Sequence, residues 1–149
     1  VTVPAGPAGY DAALGRQKPA KGERAAVLRY LEDDEAVHAR HVGSAVRETG
    51  PERVLFDGTV VVLVTDRKLV LGRGSGGIRP RWEVITLPFG HLEPDVSVDS
   101  GSGAAVRVPG SGRRSWAVDL PDAESAGRLA EVLRTALAAY RRERMGLTD

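Results

Sequence analysis

The 149-residue chain contains no cysteine. That excludes a disulfide framework, a thiolate metal site and a cysteine nucleophile together. It has little charge of either sign in excess: 21 basic residues face 20 acidic ones. Without a global positive field or a basic stripe, nucleic acid is not an expected partner, and any anion site must be local. Long apolar runs are also missing. The longest aliphatic stretch, residues 60–64, falls far short of the roughly 20 residues that a membrane-spanning helix needs. The first residues carry no apolar core of the signal-peptide kind, so a cytoplasmic location is expected. Neither a zincin HExxH nor a GxSxG nucleophile elbow occurs. No catalytic residue, cofactor or metal is expected; a small hydrolase or metal enzyme with dispersed residues is the least favoured class.

What is present describes one globular domain, with 42% hydrophobic and 28% charged residues. Arginine outnumbers lysine, 18 to 3, a bias to which no functional weight is given. Residues 1–22 hold Pro4, Pro7, Pro19 and four glycines with few bulky apolar groups. They are expected to form a flexible arm, because so little apolar surface cannot offset the entropy of ordering. The domain proper is expected over residues 23–149. Within 23–35, Ala26, Val27, Tyr30 and Leu31 share a helical face, although the acidic run Glu32-Asp33-Asp34-Glu35 opposes a helix C-terminus.

From residue 36 to 120 the pattern changes to short apolar runs broken every 8 to 12 residues by Gly, Pro, Asp and Ser. This spacing predicts strands over 36–44, 59–65, 68–73, 81–87, 95–99, 104–109 and 115–120. Alternation is clearest in Trp116, Val118 and Leu120 against Ala117 and Asp119. A long helix is predicted over 122–145. Asp122 can cap its free amides, Arg141, Arg142 and Arg144 suit its negative end, and Gly146 can take the left-handed stop. Ala126, Leu129, Ala130, Leu133, Ala136, Leu137 and Tyr140 form one apolar stripe. At about 1.5 Å per residue the helix outreaches one side of a small domain, so its final turns are expected to project.

These features together, with the hairpin LVTDRKLVL around the turn Thr65-Asp66-Arg67-Lys68 and the Leu87-Pro88 step after the fourth strand, resemble the bacterial pleckstrin-homology-like (PH-like) domains and their GRAM relatives over about residues 33–145. The resemblance implies an α+β fold: a bent, partly open antiparallel β-barrel of about seven strands with a long C-terminal helix plugging one end. It implies a non-catalytic binding or scaffold module. Members of that family bind lipids, peptides or protein subunits. The phosphoinositide-binding members carry closely spaced Lys and Arg between their first two strands. Here Arg47 and Arg53 are matched by Glu48, Glu52 and Asp57 across residues 45–57, read as a long connection, which weighs against specific inositol-phosphate recognition.

Three groups of residues carry candidate chemistry. Gly72-Arg73-Gly74-Ser75-Gly76-Gly77 has the letters of a dinucleotide fingerprint, but a strand rather than a helix follows it, so it is expected to be a hairpin loop. His38 and His41 would point to opposite faces of a strand and so could not share an ion. The expected ligand site is basic: Arg73, Arg79 and Arg81 around one glycine-rich hairpin, and Arg113 and Arg114 in another turn. The resemblance implies that these two loops meet at one open end of the barrel, where arginine forks and glycine amides would suit phosphate or carboxylate. A second surface, for a protein or peptide partner or a second copy, is expected at Tyr140, Arg141, Arg142 and Arg144, because aromatics and arginine are enriched at interface hot spots. The main expectation is a protein or peptide partner. The alternative is weak contact with anionic lipid at the inner membrane surface.

Overall fold

A strand with one wet face alternates polar and apolar residues, and residues 60–64 do not; a run apolar at every position needs cover on both of its faces. The computed structural model, which describes residues 3–49, 52–99 and 104–146, supplies that cover. Seven strands form one antiparallel sheet: β1 (Val37–Thr49), β2 (Arg53–Thr65), β3 (Lys68–Gly74), β4 (Trp82–Pro88), β5 (Ser97–Asp99), β6 (Ala104–Pro109) and β7 (Ser115–Leu120). Their order is β4-β3-β2-β1-β7-β6-β5, so the sheet is open, with β4 and β5 at its edges. One face packs on the long C-terminal helix. The other is covered, over β2 to β4, by two short N-terminal helices, α1 (Gly6–Leu14) and α2 (Glu23–Leu28). Gly50 and Pro51 of the expected first connection, and the chain ends at residues 1–2 and 147–149, lie outside the described residues.

The long helix is α3 (Ala123–Arg144). The Asp122 carboxylate accepts the Ser125 amide at 2.7 Å, and Gly146 adopts a φ of +70°, so both predicted end signals operate. Leu129, Leu133 and Leu137 are fully buried against Val46, Val60, Val62, Val106 and Val118 of the sheet's inner face. The final turns differ from the projecting end that was expected. Tyr140 is half-buried, with its ring edge-on to Phe89 at 5.8 Å, and Arg141 pairs with Glu93 at 3.7 Å. The short segment after β4 reaches far enough to meet the helix there.

Residues 45–57 also depart from expectation. Residues 45–49 and 53–57 lie in the paired halves of β1 and β2, whose ladder runs down to Glu48↔Arg53 with a register shift between Val46 and Arg47. Two glycines let this ribbon bend. The β1–β2 register shifts between Gly43 and Ala45, opposite Gly58, whose φ of +109° suits only glycine. A Cβ at Gly43 would lie 2.7 Å from the Asp119 carbonyl oxygen, so only glycine lets β1 pass this close to β7. Beyond the bend, β1 pairs with β7 as well as β2.

The part of the expected flexible arm that forms α1 instead packs on the outer face. Tyr10 is fully buried beside Val27, Val61, Leu63 and Val70, with Leu14, Leu28, Leu31, Trp82 and Val84 around them. Its hydroxyl bonds to the Glu23 carboxylate, which also takes a fork from Arg40 of β1 at 2.8 and 2.7 Å and the Ala20 amide at 3.0 Å. Gln17 accepts the remaining Arg40 guanidinium contact at 2.9 Å. Composition could not reveal this, because the arm's few apolar groups are stabilised by one polar cluster with residues 23 and 40. α2 is shorter than the helical face of 23–35 implied: it ends at Leu28, and Glu35 turns inward to receive Lys68 at 3.0 Å and the Thr65 hydroxyl at 2.5 Å.

Leu133→Ala should cost about 2–5 kcal/mol, the range for truncating a fully buried leucine; a change below about 0.5 kcal/mol in a urea melt would remove α3 from the core. Glu23→Ala strands the buried Arg40 charge and should cost about 3–5 kcal/mol, whereas the double change Glu23→Leu with Arg40→Met should cost much less. Equal losses in the two melts would mean that the pair does not act as one unit.

Candidate functional site

The bend in β1 and β2 carries Glu48, Arg53 and Leu55 over to the second half of β4. Between them lies a cleft of about 370 Å³. Its floor is apolar, made of Leu55, Ile85, Leu87, Leu92 and Trp116. The alternation of β4 explains this choice of residues: Ile85 and Leu87 point inward, while Trp82 and Val84 point to the outer layer. One end is closed where the turn after β4, Phe89–His91, meets the β6–β7 turn. The His91 carbonyl accepts the Ser111 amide at 2.9 Å and the Ser111 hydroxyl at 3.1 Å.

The rim is charged and internally organised. Glu48 on β1 is buried and receives Arg114 at 3.1 Å and Arg53 at 3.0 Å. The Arg114 guanidinium also lies 5.2 Å from the centre of the Trp116 ring, within cation–π reach. Arg114, then Arg53, hold the Glu48 carboxyl below its usual range. Two cations share one anion, so the rim keeps a positive surplus next to an apolar floor. Among the described residues that line the cleft, no side-chain hydrogen bond joins a hydroxyl to a histidine ring or a carboxylate. It can hold an apolar group beside an acidic one.

Only part of the expected arginine cluster is here. Of the five arginines, Arg114 lines the cleft, and Arg113 sits exposed next to it in the β6–β7 turn. Arg73, Arg79 and Arg81 belong to the β3–β4 hairpin, which contacts different residues. The indole N–H of Trp82 donates to the Lys21 carbonyl at 2.9 Å, and a separate small hollow brings Ala20 and Lys21 against Gly76, Gly77 and Pro80. The expectation that the two loops share one site is therefore corrected. The β3–β4 hairpin leaves β4 at its Trp82 end, whereas the cleft lies at the Pro88 end. Its neighbours include Ala20 and Lys21 of the segment between α1 and α2. The glycine-rich run ends β3 at Gly74 and continues as a hairpin loop into β4, not as a turn into a helix.

The second expected surface divides as well. Tyr140 and Arg141 are engaged with Phe89 and Glu93, while Arg142 and Arg144 are exposed, Arg144 lying 6.0 Å from the Tyr140 ring centre. His38 and His41 line different hollows, one with Glu131 and the other with Arg128. Burial, and then the Arg128 charge, push the His41 imidazole below its usual value. Among the described residues no group of His, Asp and Glu is arranged to hold a metal ion.

Sequence reasoning missed Glu48, Arg53, Leu55, Ile85 and Trp116 as cleft residues. They come from four strands, and only the bend brings them together; the single local hint was Gly58 inside an otherwise strand-forming stretch. No protein-family model matches the chain, and no curated protein matches it either.

A carboxyl depressed in the fold stabilises it above its unfolded value, and that stabilisation is lost as pH falls through the folded value. Glu48 should therefore titrate below 4.5 in a carboxyl-detected NMR titration. Arg114→Gln should move its midpoint up. A midpoint unmoved by that change would show that the Arg114 contact is not formed in solution.

Proposed function

We propose that the chain is a non-catalytic, PH-like binding or scaffold module that engages a protein or peptide partner through the cleft beside β4. One observation carries this reading: an apolar floor of Leu55, Ile85, Leu87 and Trp116 lies under a rim in which Arg53 and Arg114 share Glu48. Anchors of this kind, an aromatic with arginines around it, are the types that dominate protein interfaces. A buried carboxylate at the centre of the rim would repel a polyanionic headgroup and is compatible with a side chain that brings one negative charge.

A second reading, weak contact with anionic lipid, is favoured by one feature of the β3–β4 hairpin. Ile78 is 84% exposed at its tip, followed by Arg79 and Arg81, with Lys21 on the adjoining segment. Near an anionic bilayer each basic residue contributes about 1 kcal/mol, so three give about 3 kcal/mol, weaker than a millimolar dissociation constant. Such contact would assist a partner-binding module rather than anchor it. Among the described residues no helix is long and apolar enough to cross a membrane.

Panning the purified protein against a displayed library of random decapeptides should enrich binders. Leu55→Asp should abolish their capture, while its urea midpoint reports that the fold survives. Failure to enrich any peptide, or equal capture by the variant, would overturn the cleft as the binding surface. Phosphatidylserine vesicles should sediment the protein weakly at low salt and not at physiological salt. Arg79→Ala with Arg81→Ala should remove that binding, and Arg114→Ala should not; loss on Arg114→Ala alone would return the lipid contact to the cleft.

A further inference from the structure

Among the described residues β4 pairs with β3 alone, and its register shows which of its backbone groups are free. The partners run from Lys68↔Pro88 to Gly74↔Trp82. Just outside this ladder the Ser75 amide donates to the Arg81 carbonyl at 2.9 Å, and the Phe89 amide to the Arg67 carbonyl at 2.9 Å. Bonded and non-bonded pairs alternate in an antiparallel ladder, so Glu83, Ile85 and Leu87 exchange bonds with β3. Trp82, Val84 and Thr86 therefore aim their N–H and C=O groups away from the sheet. Pro88, which has no N–H to offer, falls on the same outward parity and ends the row.

Two concavities flank this row, one on each face of the sheet. On the inner side is the cleft, with Ile85 and Leu87. On the outer side a hollow of about 280 Å³ lies between β4 and α2, lined by Ala26, Arg29, Tyr30, Pro80, Trp82 and Val84. Side chains of an extended strand point alternately to the two faces of the sheet it joins. A strand laid along β4 would thus deliver successive side chains to the hollow and to the cleft in turn, while its backbone met the free groups of Trp82, Val84 and Thr86.

We infer that β4 accepts an extended segment of a partner protein as an eighth strand, with alternating residues seated in the two concavities, and that the segment is acidic on its cleft-facing side. This deepens the function proposed above and rests on it. Charge selects the occupant. Arg53 and Arg114 share a single carboxylate at one end of the row, and Arg79 and Arg81 have no ion-pair partner among the described residues at the other. The one acid on β4, Glu83, lies opposite Arg73 in the ladder. Main-chain bonds would supply affinity and the two concavities specificity.

The test uses peptides enriched from the random decapeptide library and the full chain. Val84→Pro removes an outward N–H rather than one bonded to β3; it also fixes φ and replaces the side chain, so Val84→Ala controls for the side chain and the urea midpoint of each variant reports that the fold survives. Binding measured by fluorescence anisotropy should weaken at least tenfold in Val84→Pro and by less than threefold in Val84→Ala, with Thr86→Pro giving a second case. In hydrogen exchange the Val84 and Thr86 amides should become protected when peptide is bound, and the enriched sequences should alternate apolar and acidic residues. Peptides lost on Leu55→Asp but bound equally by Val84→Pro and Thr86→Pro would overturn strand addition and leave the binding module standing. A library that enriches nothing would overturn both. A concentration-dependent dimer in native mass spectrometry that Val84→Pro abolishes would replace the partner segment with a second copy of this chain.

Discussion

Tyr10, Glu23 and Arg40 are drawn from three separate elements, and their polar groups meet where water is excluded. Burial alone would push the Glu23 carboxyl up. The Arg40 fork, the Tyr10 hydroxyl and the Ala20 amide together outweigh that and leave it below its ordinary range. The same environment pushes the Tyr10 phenol far up, so it remains a donor. A buried pair of this kind adds little net stability compared with an apolar replacement, but leaving either charge alone is expensive. Its effect is to define one arrangement. With Glu23 on Arg40, α1 and α2 must lie over Val61, Leu63 and Val70, and the uninterrupted apolar run of β2 becomes a centre rather than a surface.

That placement reaches the candidate site. α2 forms one wall of the hollow outside β4, and the Lys21 carbonyl just before it holds the Trp82 indole. On the inner face the bend at Gly43 and Gly58 has the complementary role, because it carries Glu48, Arg53 and Leu55 over to β4. The site is thus assembled from both sides by devices remote in sequence from β4 itself. β4 contributes the alternation that sends Trp82 and Val84 outward and Ile85 and Leu87 inward.

The arginines illustrate how topology redistributes charge. Their abundance offered the prospect of one convergent anion site. In the fold Arg114 and Arg53 share Glu48, Arg47 pairs with Asp119 at 3.0 Å, and Arg67 pairs with Asp34 at 2.9 Å. An exposed pair such as Arg67–Asp34 contributes little to stability, but all of these pairs remove cations from the pool available to a ligand. Among the described residues, the arginines left without an acidic partner include Arg79 and Arg81 beside Ile78 at the hairpin tip, and the cleft keeps a positive surplus.

Local chemistry determined much of this protein. Period-2 alternation in β7, the Asp122 cap, the stripe from Ala126 to Leu137 and the stop at Gly146 each act over a few residues, so the sheet-plus-helix fold and nearly every strand position were legible in the sequence. The run at residues 60–64 even announced that both faces of β2 are covered. It could not say by what, because the cover depends on Glu23 and Arg40 meeting across 17 residues. The same holds for the cleft. Leu55, Ile85 and Trp116 look like ordinary strand residues until the bend brings them together, and Arg79 and Arg113 look alike until the sheet order separates them. Helix caps and strand periodicity are short-range properties of the chain. Which charges meet, which edge stays open and which apolar side chains share a cleft depend on how distant segments pack, and only the tertiary structure decided them.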